Sequence, residues 1–176
     1  MNFIHIPKTA GQSVIKATGV EPHGHKRFVD LVDEVAGGEF FTVVRNPYDR
    51  AVSTYYYLSQ LHGGTPYNSG KNLNEFWDGV YEFSRLIGDY MKPQMYFVSD
   101  EDSNLSDKIT TILRYENLED DYNKLAAING FSAIEHLNKT DIRPNKTWQE
   151  ELSDESIRMI GELYAQDFEA LGYDRL

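Results

Sequence analysis

The 176-residue sequence has no cysteine, so neither a disulfide framework nor a thiolate metal site is open to it. No apolar run approaches the ~20 residues that a membrane-spanning helix needs, and no signal-peptide pattern is expected, because strand-like sequence already occupies the first ten residues. Internal repeats, low-complexity tracts and a convincing linker are missing too. The length fits one domain over residues 1–176, able to bury roughly 70% of its unfolded surface. Positive charge is scarce: 17 Lys and Arg stand against 28 Asp and Glu, a net charge of −11. That balance disfavours nucleic acid and heparin-like polyanions as partners and suits a neutral or weakly charged one. The excess acid collects in DLVDEV, EDDY and QEELSDES, which read as solvated faces.

Against this background one stretch stands out. FIHIPKTAGQS, residues 3–13, runs an apolar strand pattern into a lysine, a threonine, a glycine and a serine where a helix should begin. Phe3, Ile4 and Ile6 suit a short buried strand, Pro7 blocks its continuation, and Gly11 permits close backbone approach to a ligand. The first amides of the following helix favour phosphate or sulfate, Lys8 adds a full charge, and Thr9, Gln12 and Ser13 add neutral donors. A Walker A loop would place its lysine at the helix end, whereas Lys8 stands at the strand end. The competing reading is a plain strand–turn–helix with a solvated lysine.

A second segment, EFFTVVRNPYDRAVSTYYYL, repeats the design. Its apolar run ends at Arg45, Asn46 can cap the next helix, and Pro47 fits the first turn. With the two strands as parallel neighbours, Lys8 and Arg45 leave the sheet at the same carboxyl edge, where open α/β sheets bind ligands. Two cations there imply a ligand with two separated anionic groups.

These two segments resemble the sulfotransferases that use 3′-phosphoadenosine 5′-phosphosulfate, in particular the carbohydrate type that includes the heparan 2-O-sulfotransferases and their bacterial and viral relatives. FIHIPKTAGQS is similar to the family's 5′-phosphosulfate motif, and RNPYDRAVS to its 3′-phosphate motif, with Arg45 and Ser53 at the matching positions. LRYENLEDDY, HLNKT and YAQDFEALGY resemble later family segments in the expected order. The resemblance implies an α/β, P-loop-NTPase-like three-layer fold, with a central, mostly parallel sheet flanked by helices. It also implies in-line sulfuryl transfer to an acceptor hydroxyl, on a carbohydrate or small metabolite, that leaves 3′-phosphoadenosine 5′-phosphate and needs no metal. The residues from Lys8 through Thr9, Ala10, Gly11, Gln12 and Ser13 would hold the 5′ end, with Lys8 steadying the leaving phosphate. Arg45 and Ser53 would hold the 3′-phosphate, and Lys139 and Thr140 would lie over the nucleotide.

In the family a histidine between the two phosphate motifs removes the acceptor proton. His23 and His25 both qualify; the segment that follows, HKRFVDLVDEV, resembles the bacterial members and favours His25. An imidazole with an ordinary pKa of about 6.5 is largely neutral at physiological pH and ready to accept a proton. His5 reads as packing beside its strand, and His62 and His136 as loop residues.

Golgi members of the family carry a membrane anchor and often disulfides. A chain with neither feature fits the cytoplasm of a bacterium or a phage-infected cell. It is also shorter than many relatives, which leaves room for a homo-oligomer to complete the acceptor pocket. Two rival classes are a kinase-like phosphate-loop enzyme, which the missing Walker A lysine disfavours, and a nucleotide-binding protein without turnover.

Elsewhere, residues 62–72 read as a loop, 73–90 as helical and 108–115 as a third strand. Residues 116–129 read as a helix closed by Gly130. The last helix is expected to start at Ser153 and run unbroken to Gly172 on the stripe Ile157, Ile160, Tyr164, Phe168, Leu171. Arg143 and Lys146 are weaker ligand candidates in a polar loop.

Overall fold

The computed structural model describes residues 1–35, 37–61, 70–79, 88–135 and 143–176. In chain order the described elements are β1 (Asn2–Ile4), α1 (Gly11–Thr18), α2 (Phe28–Leu31), β2 (Phe40–Val44), α3 (Pro47–Leu61), α4 (Leu73–Asp78), α5 (Met95–Val98), β3 (Ile109–Arg114), α6 (Leu118–Asn129), α7 (Trp148–Glu151), α8 (Asp154–Leu163) and α9 (Ala165–Leu171). Contacts divide the chain into two compact units, one of residues 1–45 with 94–139, the other of residues 46–93 with 140–176.

The first unit is α/β. Its strands are parallel and ordered β1-β2-β3, so β2 is central. All five residues of β2 are buried, as expected of a strand covered on both faces. Alternation along the strands sorts the side chains. Phe3, Phe41, Val43 and Leu113 pack with Val14 and Ala17 of α1 and with Leu118, Tyr122 and Leu125 of α6. On the opposite face Phe40 meets the ring of Phe28 from α2 edge-on, 5.2 Å away. A central parallel sheet with helices on both faces is the expected fold, consistent with a P-loop-like architecture. Three parallel strands bring their carboxyl ends to one edge.

The second unit is helical, with a core of Tyr48, Val52, Phe76, Trp77, Ile160 and Phe168 among others. Asn46 caps α3 as expected, its Oδ1 accepting from the amides of Tyr48 at 3.0 Å and Asp49 at 3.4 Å. The expectation of one unbroken final helix is corrected: α8 and α9 are separated at Tyr164, whose backbone turns to φ −109°, ψ 25°. Tyr164 is fully buried, and its hydroxyl donates to the Met91 carbonyl at 3.2 Å, so tertiary anchoring of this side chain accompanies the bend. The apolar stripe continues through the break, which is why its period alone shows none. Within the span 73–90, α4 covers Leu73–Asp78 and a 3-10 turn covers Gly88–Met91; residues 80–87 lie outside the described residues.

Candidate functional site

The loop after β1 is backbone-strained. Lys8 and Ala10 both adopt left-handed φ, 68° and 66°, while Thr9 between them does not. Each such residue costs about 1–2 kcal/mol when it is not glycine, so surrounding contacts must enforce the conformation. The Thr9 hydroxyl supplies one such contact, donating to the Ile6 carbonyl at 2.9 Å. Backbone in which left-handed and right-handed residues alternate can curl successive amides into an anion-binding nest. Helix α1 then begins at Gly11 with Ala10 in the cap position, whose side chain offers no capping oxygen. By contrast, Asn72 and Ser153 cap α4 and α8 with their side chains. The first turn of α1 also carries no acidic residue to offset its positive end.

Arg45 follows β2 and is buried. Its Nη1 donates to the Lys8 carbonyl at 3.1 Å, and its guanidinium lies 3.8 Å from the centroid of Tyr115, the residue after β3. Gln94 clamps the Arg45 backbone, accepting from its amide at 2.9 Å and donating to its carbonyl at 2.8 Å. The carboxyl ends of all three strands thus converge on Lys8, Arg45 and Tyr115. Burial, and after it the Arg45 charge, lowers the Lys8 ammonium from its usual range to about 8. A cation held that far down has a strong electrostatic preference for an anion beside it.

The base candidates separate on geometry. His25 Nδ1 lies 2.9 Å from the His5 carbonyl oxygen. A carbonyl only accepts, so Nδ1 carries a proton, and in the neutral ring Nε2 is then the nitrogen with the lone pair. His25 is also in ring contact with His5, centroids 4.3 Å apart. Among the described residues His23 makes no hydrogen bond or ring contact that would orient it in the same way. His5 itself packs beside its strand, stacking on Phe3 at 5.8 Å, as its sequence position suggests. Burial first, and the neighbouring His25 second, hold its imidazole down to about 3, so it is neutral at physiological pH.

Gly11 is also required by a neighbour within the protein. A Cβ there would stand 1.9 Å from His5 Cδ2 and 2.0 Å from Nε2, so the space belongs to the His5 ring. The His5 contacts to both Gly11 and His25 escape sequence reasoning. The available clue is a polar residue two positions after Phe3, on the same face of an otherwise apolar strand.

The remaining candidates are more dispersed. Gln12 is exposed and Ser13 buried at the start of α1. Ser53 is buried on α3 in the second unit. Lys139, Thr140, His62, His136 and most of the loop 62–72 lie outside the described residues. Arg143 bonds Asp49 at 2.7 Å and approaches Glu151 at 3.5 Å within the second unit, and Lys146 is exposed. Of the three adjacent tyrosines, Tyr55 donates to the Lys71 carbonyl, Tyr56 to Glu151, and Tyr57 accepts from Tyr90. Among the described residues no group of three or more His, Cys, Asp or Glu is placed to hold a metal ion, and no helix is long and apolar enough to cross a membrane.

A family model described as "Sulfotransferase family" matches residues 23–174. No curated protein and no solved structure matches the chain. The matched span takes in His23, His25, Arg45 and Ser53 but begins after the first loop, so Lys8 to Ser13 rest on their own geometry.

Proposed function

The chain belongs to the sulfotransferase family, and from that premise we propose that it transfers a sulfuryl group from 3′-phosphoadenosine 5′-phosphosulfate to a hydroxyl of a carbohydrate acceptor. The observation that carries this reading is the bond from Arg45 to the Lys8 carbonyl. It ties the cation after β2 to the anion nest after β1, as a ligand with two separated phosphate groups requires. The family match runs through segments of both units, which supports treating residues 1–176 as one sulfotransferase domain.

The residues present fit the cofactor. The left-handed turns at Lys8 and Ala10, with the amides of Gly11 and Gln12, suit the 5′-phosphosulfate, and Arg45 suits the 3′-phosphate. Ser53, Lys139 and Thr140 are assigned to the same cofactor by the family resemblance alone. When bound, the cofactor supplies an activated sulfuryl group: its S–O bond to the 5′-phosphate breaks as a bond to the acceptor oxygen forms. His25 Nε2 takes the acceptor proton while the Nδ1 bond to the His5 carbonyl keeps the ring oriented. Lys8 steadies the charge that collects on the leaving phosphate. Positioning and preorganised charge supply most of the catalysis, and the base about 10²- to 10⁴-fold of it.

The acid-rich surface supports a neutral or weakly charged acceptor, and the cysteine-free composition supports a cytoplasmic setting. Calorimetry tests the cofactor assignment. A charge-assisted bond from Arg45 to a 3′-phosphate is worth about 1.5–3 kcal/mol, so 3′-phosphoadenosine 5′-phosphate should bind roughly 10- to 100-fold more tightly than AMP. Equal affinity for the two would remove Arg45 from the 3′-phosphate.

A further inference from the structure

The proposed mechanism uses the backbone carbonyl of His5 and leaves its side chain without a task. Yet that ring touches both halves of the chemistry. One side fills the space that the missing Cβ of Gly11 leaves open at the start of α1. Another meets the His25 ring at 4.3 Å and 51°. Phe3 stacks behind it at 5.8 Å and 21°.

We propose that the His5 side chain is a positioning residue, a flat wedge that fixes the base His25 relative to the donor-binding loop. The kinetic half of this inference rests on the sulfotransferase reading; the geometric half does not. A residue that only filled the core at this point could be aliphatic, as Ile4 and Ile6 are. Here the flat His5 ring lies directly against Gly11, where a single added carbon would overlap it. Because the same residue's carbonyl accepts the His25 Nδ1 proton, the ring and carbonyl together set both the orientation and the tautomer of the base. A neutral His5 also suits the task, since it neither repels an imidazolium at His25 nor competes for its proton. An error of about 1 Å in such a placement can cost about 10²-fold in rate, whereas cofactor affinity depends on loop amides and Arg45, which His5 does not replace.

The test pairs a spectroscopic readout with a kinetic one. Long-range ¹H–¹⁵N spectra of the wild-type protein should show His25 as the Nδ1-protonated tautomer. In His5→Ala the signal should move toward the Nε2-protonated form, kcat should fall roughly 10- to 100-fold, and the Kd for 3′-phosphoadenosine 5′-phosphate should stay within about threefold. Gly11→Ala, which pushes the ring aside while keeping His5, should shift the same His25 signal, and it decides the matter if His5→Ala does not fold. A folded variant with an unaltered His25 tautomer overturns the proposal, as does an unchanged kcat. Should the wild-type protein bind no bisphosphate and transfer no sulfuryl group, the functional reading fails, and the tautomer comparison alone decides the role of His5.

Discussion

Lys8 concentrates the electrostatics of the site in one side chain. Its ordinary value of 10.5 falls to about 8 through burial and the nearby Arg45. The folded protein therefore disfavours its charged form, and its contribution to stability rises with pH between about 8 and 10.5. An anion reverses the preference: a phosphate beside Lys8 raises its pKa, so binding above pH 8 must take up a proton. Affinity for 3′-phosphoadenosine 5′-phosphate should be level below about pH 7 and weaken by up to about tenfold per pH unit through the window above 8. Calorimetry at about pH 8.5 in two buffers of different ionisation enthalpy should register the proton uptake, and Lys8→Met should abolish it. Uptake that persists in Lys8→Met would assign the titration to another group.

The end of β2 depends on a partner far away in sequence. Gln94 is fully buried and satisfies both backbone groups of Arg45. Removing its amide would strand a buried donor and a buried acceptor at roughly 1–3 kcal/mol each. Gln94→Ala should therefore lower the urea midpoint by the equivalent of about 2–6 kcal/mol and weaken bisphosphate binding by loosening Arg45. A variant with wild-type stability would show that solvent or a neighbour replaces the clamp. Nothing in the sequence singles out Gln94, because its partner is 49 residues away. Local signals fared better. The Asn46-Pro47 boundary, the strands expected over 39–44 and 108–115 and found at 40–44 and 109–114, and the Gly130 helix stop each depend on residues within a few positions of one another. The contacts that build the site join residues 20 and 37 positions apart, so the sequence named Lys8, Arg45 and His25 without showing what holds them. The division of the last helix at Tyr164 was hidden for the same reason, since the anchoring carbonyl belongs to Met91, 73 positions away.

At the scale of the molecule, a chain with net charge −11 builds a local site of opposite sign. In the first unit β1, β2 and β3 end together and deliver Lys8, Arg45 and Tyr115 to one sheet edge, while α1 presents its positive end there. The second unit holds a separate aromatic core, in which Arg50 donates to the Lys92 carbonyl at 2.9 Å and Arg143 bonds Asp49. These two arginines thus have structural partners, and of the described residues assigned to the proposed sulfuryl chemistry Lys8, His25 and Arg45 belong to the first unit and Ser53 to the second. The proposed chemistry turns on His25 as the base of a sulfuryl transfer. The direct measurement follows sulfuryl transfer from labelled 3′-phosphoadenosine 5′-phosphosulfate to a panel of saccharide acceptors, comparing wild type with His25→Ala and measuring bisphosphate binding by both. Transfer by the wild type, a loss of about 10²-fold or more in His25→Ala, and bisphosphate affinity preserved within about threefold are expected. Undiminished transfer by a folded His25→Ala would contradict His25 as the base.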